Sequence, residues 1–171
     1  MDMLRQERRE ESAGEDMRRK DREIKDQEKM LAIMHDCDCC RIGLVDGKEA
    51  YIVPMNFGYE ETKGNINLYF HCAKEGRKLD LLSEQEVVTF EMDAKHTLVA
   101  GKTGCEFSYL YQCIMGKGKM EIIEEEVQKR YGLQKILAHY SDAGEWEFCP
   151  ELLERVLVLR LVVTEWSCKE H

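Results

Sequence analysis

The sequence predicts a mainly β fold, an antiparallel barrel with helices at its ends. About six strand-like runs are present, and most follow one another without an intervening helix, which favours antiparallel packing over a doubly wound sheet. The sequence contains no internal repeat and no glycine-rich phosphate fingerprint. With 171 residues and 43% hydrophobic composition, the chain can bury one ordinary core. We therefore expect a single domain.

The chain begins with a charged segment and a predicted helix. Residues 1–16 are mostly charged and show almost no apolar periodicity, so we expect a mobile extension followed by one domain at 17–171. Asp26 is a suitable N-cap for a helix. The apolar positions of that helix crowd toward one side; they are Met30, Leu31, Ile33 and Met34.

Two strand-like runs form a predicted hairpin. Residues 41–45 and 49–57 are rich in apolar and β-branched residues, and Asp46-Gly47 lies between them. An Asp-Gly pair between two such runs is a strong signal for a tight turn. The polar residues 60–66 predict another turn, which leads into a strand at 68–70.

The second half of the chain predicts three more strands and a helix. Residues 86–93 favour a strand through their β-branched and aromatic side chains. Residues 105–123 predict a long strand in which two glycines relieve a bend or bulge. Helical spacing of apolar residues follows at 124–140. The run at 155–166 is apolar almost throughout, which suits a strand covered on both faces.

The charge balance disfavours two classes of partner. Lys and Arg number 25 against 34 Asp and Glu, a net charge of −9, which repels a polyanion such as nucleic acid. No apolar stretch approaches the roughly 20 residues that a membrane helix needs, and the N-terminal residues lack the apolar segment of a secretion signal. We expect a cytoplasmic protein with neither a nucleic-acid nor a membrane partner.

The eight cysteines are expected to be reduced thiols, because the chain is too long and too apolar for a small disulfide scaffold. Cys37, Cys39 and Cys40 follow His35 closely. A zinc site normally shows two separated ligand pairs, and no second pair is evident here. We therefore predict no metal, and partly buried thiols near a helix end.

The segment LYFHCAKEGRKLDLL, residues 68–82, joins a strand to a short helix through basic residues. Arg77 offers a planar fork of donors and Lys78 a point charge, and both fall at the start of the predicted helix. Gly76 permits close approach of the backbone. This arrangement suits a phosphate group, although an exposed Arg-Lys pair is also compatible with a solvated surface.

Four segments resemble the FMN-binding split-barrel superfamily that includes pyridoxamine phosphate oxidase, and within it the nitroimidazole-resistance-like branch. They are MRRKDREI at 17–24, YIVPMNFGY at 51–59, LYFHCAKEGRKLDLL at 68–82 and YQCIMGKG at 111–118. The resemblance extends over roughly residues 17–169. It implies a six-stranded antiparallel split β-barrel with flanking helices, and a homodimer with two FMN sites across its two-fold interface.

The resemblance also implies which residues bind the cofactor. Arg77 and Lys78 would hold the FMN phosphate, while His71 and Cys72 would lie along the ribityl chain or the ring. Four residues of the second segment would present backbone and side-chain groups to the isoalloxazine; they are Ile52, Val53, Pro54 and Asn56.

The roles of three residues have open alternatives. Cys113 stands where relatives often have Ser, and it would approach a flavin held mainly by the other subunit. Trp146 would cover a flavin of the partner chain or simply fill a gap in the core. His71 is the catalytic candidate, either as an acid or substrate contact or as a hydrogen-bonded structural residue.

The function implied by the resemblance is an FMN-dependent reductase. FMN would pass electrons, with NADH or NADPH as possible donor, to a small electron-poor molecule such as a nitro compound, a quinone or a flavin. True pyridoxamine phosphate oxidase activity is disfavoured, because the C-terminal TEWSCKEH supplies only Lys169 and His171 for a second phosphate. The alternatives are a non-enzymatic FMN carrier or redox sensor, and a haem-handling split barrel.

Overall fold

The computed structural model describes residues 19–144 and 146–171, so the predicted extension at 1–16 lies outside the described residues. Within these ranges the chain forms eight strands and four α-helices. The strands are β1 (Glu23–Ile24), β2 (Cys40–Asp46), β3 (Glu49–Met55), β4 (Gly58–Thr62), β5 (Asn65–Ala73), β6 (Val87–Val99), β7 (Ser108–Ile123) and β8 (Val156–Glu170). The helices are α1 (Gln27–Asp36), α2 (Arg77–Glu84), α3 (Glu126–Tyr140) and α4 (Pro150–Leu153).

All the strands belong to one antiparallel sheet, in the order β3-β2-β6-β7-β8-β5-β4, with β1 paired to β8. The edge strands β3 and β4 are consecutive in the chain and are joined only by Asn56 and Phe57. This short connection keeps the two edges together, so the sheet curls into a barrel that is split between them. The predicted mainly β split barrel with flanking helices is confirmed, but its sheet has eight strands in the described residues and not the predicted six, because β4 and the short β1 were not predicted.

The core lies inside the curled sheet, and a smaller cluster lies between the sheet and α3. Alternate residues of β2, from Cys40 to Leu44, and of the first part of β6, from Val88 to Ala94, are buried in the main core, as the alternation along a strand requires. In β8, Leu159 belongs to the main core, whereas Val158 packs with Tyr69 and Ile136 in the smaller cluster. The prediction that the last strand is covered on both faces is therefore confirmed.

The predicted polar turn at 60–66 is confirmed at its centre, but it is much shorter than predicted. β4 continues to Thr62 and pairs with β5, which begins at Asn65, so only Lys63 and Gly64 form the turn, with φ angles of 53° and 84°. The polar composition was misleading because Glu60 is a strand residue whose carboxylate accepts hydrogen bonds from within the fold. Tyr69 Oη donates to it at 2.5 Å and Asn67 Nδ2 at 3.1 Å.

The helices begin and pack as their sequences indicate. Asp26 caps α1 by accepting from the Glu28 amide at 3.1 Å, and Glu125 caps α3 in the same way. Gly132 lets α3 approach the sheet closely, since a Cβ there would come within 2.7 Å of Val158 Cγ1. None of the helices in the described ranges combines the length and apolar composition needed to cross a membrane.

Gly58 is the tightest contact between the barrel and α3. A Cβ at this position would lie 2.2 Å from the backbone carbonyl of Lys135, and helix backbone cannot yield as a flexible side chain can. We expect Gly58→Ala to destabilise the fold by roughly 1–3 kcal/mol or more, measured by chemical denaturation. Gly104→Ala is the control, because a Cβ there meets nothing within 4 Å. Equal stability of the two variants would contradict the close approach of α3.

Candidate functional site

The start of α2 forms one side of the candidate site. β5 ends at Ala73, residues 74–76 turn, and the helix begins at Arg77. Gly76 has φ of 126°, which L side chains rarely adopt, and a Cβ there would point into open space. No side chain in the described chain caps this helix. The first amide groups of a helix lack intrahelical acceptors, so this end can receive an anion.

Lys78 is the cation that faces the barrel. It is half-buried, and its Nζ lies 3.7 Å from Sδ of Met55 at the end of β3. No ion pair found among residues 19–144 and 146–171 involves Lys78. Burial, and next to it the charge of Lys78, lowers the pKa of His71, and the same charge opposes the effect of burial on the pKa of Cys72. The charge of Lys78 therefore acts on both His71 and Cys72 at the end of β5.

Arg77 lies in a different environment. Its Nε donates to Oδ2 of Asp46 at 2.6 Å, and Nη2 donates to the same oxygen. The guanidinium carbon also lies 5.7 Å from the ring centroid of Tyr51. Sequence reasoning missed both neighbours: Asp46 was interpreted only as a turn residue, and contact across 31 positions leaves no local signal.

The predicted ring-contact residues of β3 lie on opposite faces of the strand. Ile52 and Pro54 are exposed on the outer face, and Ile52 is 63% exposed. Val53 packs against the main core, so it can offer only backbone groups to the outside. Asn56 follows the strand and is exposed. Because Met55 contacts Lys78, this end of β3 lies beside the start of α2.

Cys113 and Trp146 contact other parts of the same chain. Cys113 is on β7, which is separated from β3 by β2 and β6, and its Sγ lies 3.7 Å from Oε1 of Glu91. Burial, followed by Glu91, raises the pKa of this thiol to about 11. The backbone of Trp146 bonds the side chain of Gln134 on α3. Their predicted contacts to a flavin of the other subunit stay predictions.

The cysteine cluster near α1 consists of free thiols, as do the other cysteines. Cys37 and Cys40 are buried and Cys39 is half-buried. Cys37 Sγ donates to the Ile33 carbonyl at 3.2 Å, and burial raises its pKa to about 12. The prediction of partly buried thiols at a helix end is confirmed. Across the described ranges, no group of three or more His, Cys, Asp or Glu side chains is arranged to hold a metal ion.

A comparison with known protein families shows which family the chain belongs to. A family model described as pyridoxamine 5'-phosphate oxidase matches residues 26–170. The chain belongs to this family. The match covers all the elements from α1 to β8, and so includes both β3 and the start of α2. A search of curated proteins found no match.

One solved structure supports the same assignment, and two others show the same fold. A candidate 5-nitroimidazole antibiotic resistance protein from Bacteroides thetaiotaomicron is 30% identical, with 86% of each chain covered and a TM-score of 0.75. A flavocytochrome from Azotobacter vinelandii is 21% identical and has a TM-score of 0.71, and the match covers 87% of this chain and 69% of the flavocytochrome chain. An FAD and heme binding protein from Mycobacterium smegmatis is 20% identical, covers 86% and 72%, and has a TM-score of 0.71. The last two share the fold.

The electrostatic contact between Lys78 and His71 can be tested without any ligand. We expect Lys78→Ala to raise the pKa of His71, because a nearby positive charge disfavours the imidazolium. NMR titration of the histidine ring protons measures the shift, and His71→Gln assigns the signal. Lys74→Ala removes an exposed charge from the adjacent turn and serves as the control. An unchanged pKa of His71 in Lys78→Ala would show that the charge of Lys78 does not reach His71.

Proposed function

We propose that this chain is a flavin-binding protein that holds the phosphate of FMN at the start of α2. The observation that carries the proposal is Lys78, a half-buried lysine at an uncapped helix start. Arg77 adds a second cation on the same helix turn. Membership of the pyridoxamine 5'-phosphate oxidase family supports a flavin as the phosphate ligand, as does the flavin named in the description of the M. smegmatis relative.

The surroundings of Lys78 fit the rest of such a ligand. Ile52 and Pro54 form an exposed apolar surface on β3, which suits one face of an aromatic ring system. His71 and Cys72, near the end of β5, would then lie along the ribityl chain or the ring. Burial and Lys78 lower the pKa of His71 and so favour its neutral ring, which offers one hydrogen-bond donor and one acceptor.

We also propose that two copies of the chain associate through the outer face of the sheet. Four neighbouring strands place apolar side chains there that are each more than half exposed; they are Val45, Ile52, Val87 and Met115. Exposed apolar side chains that share a surface commonly mark an interaction site. A second copy on this face would bring its own Cys113 toward the flavin.

The proposed activity is reduction of small electron-poor compounds such as nitro compounds, quinones or free flavins. Bound FMN supplies the redox chemistry, accepting electrons from NADH or NADPH and passing them on. The protein neutralises the phosphate through Lys78 and Arg77 and presents Ile52 and Pro54 to the ring. The candidate 5-nitroimidazole resistance protein of B. thetaiotaomicron, 30% identical to this chain, supports nitro compounds as the first substrates to test.

Binding measurements test the phosphate site. We expect Lys78→Ala to weaken FMN binding by about tenfold or more, since a charge-assisted contact with phosphate is worth roughly 1.5–3 kcal/mol. Arg77→Ala should weaken it less, by roughly threefold, because an exposed ion pair contributes little. Titration by flavin fluorescence measures both, with Lys102→Ala as an exposed lysine control. Unchanged FMN affinity in both Lys78→Ala and Arg77→Ala would refute the phosphate site at the start of α2.

Anaerobic reduction tests the activity. We expect the FMN-loaded protein to lose its visible flavin absorbance on mixing with NADH or NADPH and to regain it when a nitroaromatic compound is added. Stopped-flow absorbance follows both steps, and free FMN at the same concentration is the control. If neither donor reduces the bound flavin, the reductase is refuted and a non-enzymatic carrier or redox sensor becomes the better description.

A further inference from the structure

The two cations of the proposed phosphate site differ in the partners they already have. Arg77 donates through Nε and Nη2 to a single carboxylate oxygen of Asp46. Lys78 is in contact with the sulfur of Met55 and belongs to no ion pair of the described chain. One cation is therefore neutralised before any phosphate arrives, and the other is available.

Asp46 has a shorter and less exposed side chain than the arginine that it pairs with. It is the last residue of β2 and is in register with Glu49 across a tight hairpin turn at Gly47, where φ is 61°. Its side chain is 24% exposed, against 63% for Arg77. The carboxylate is thus placed by the hairpin on a short side chain, while the long and exposed side chain of Arg77 can exchange one anion for another.

We propose that Asp46 is an internal competitor of the ligand phosphate for Arg77, and so sets how tightly the site holds a phosphorylated flavin. This inference rests on the proposed function, in which that phosphate lies between Lys78 and Arg77. A phosphate monoester carries about −1.5 to −2 charge at pH 7. Binding must draw Arg77 away from Asp46 or place two anions beside one cation, and both lower affinity. Lys78, which has no carboxylate partner in the described ranges, attracts the phosphate without competition. The competition at Arg77 keeps the flavin exchangeable.

Asp46→Asn tests this role, because it removes the competing charge and keeps the size of the side chain. We expect the variant to bind FMN roughly threefold to tenfold more tightly than the unmodified chain and to retain more of it through desalting. Riboflavin, which lacks the phosphate, should bind both proteins equally. Glu49→Gln is the matched control: it changes the same charge on the same hairpin, and Glu49 pairs with no cation in the described ranges.

A double-mutant cycle separates pairing with Arg77 from a general charge effect. In the Arg77→Ala background, Asp46→Asn should raise FMN affinity by less than twofold. A gain of the original size in that background, or an equal gain in Glu49→Gln, overturns the pairing. Asp46→Ser provides a second variant, and circular dichroism checks that each one is folded.

The outcomes also separate this inference from the proposed function. If the unmodified chain binds FMN and Asp46→Asn leaves that affinity unchanged or lowers it, only the competitor role is refuted. If the unmodified chain binds neither FMN nor riboflavin, the proposed function is refuted and the competitor role is refuted with it.

Discussion

The pairing of β5 with β8 is the constraint on which the candidate site depends. Seven residues of β5 are in register with β8, from Asn67 with Val162 to Ala73 with Val156. A slip of β5 by one residue would exchange its two faces, so that Phe70 would leave the main core. The register therefore fixes where β5 ends, and with it the position at which α2 begins.

The other side of the site comes from the β2–β3 hairpin, which is far from α2 in sequence. The hairpin supplies Asp46 and Tyr51 to Arg77, and its second strand supplies Met55 to Lys78. Basic residues that are adjacent in the chain consequently have different surroundings. Arg77 is paired with a carboxylate, whereas Lys78 contacts a thioether. Both carry a full positive charge, but they therefore differ in how readily they bind an added anion.

Signals from neighbouring residues predicted most of the helices and strands, but they did not predict the lengths of these elements. Asp26 and the Asp46-Gly47 turn marked element ends correctly, because capping and tight turns are chemistry between neighbouring residues. β4 was missed because its polar residues suggested a turn, while Glu60 finds its donors on β5 and on α3. β6 continues to Val99, beyond the predicted 93, because pairing with β7 extends it through exposed residues that carry no burial pattern.

The sequence by itself determined the antiparallel β architecture, the cations after β5 and the glycine that precedes them, since each follows from strand order or from adjacent residues. Only the tertiary structure decided that Arg77 meets Asp46, that Lys78 lies beside Met55, and that Cys113 and Trp146 make their contacts elsewhere in the chain. The physical reason is separation along the chain. These contacts join segments brought together by strand pairing and burial, and nothing in the neighbourhood of either residue specifies its partner.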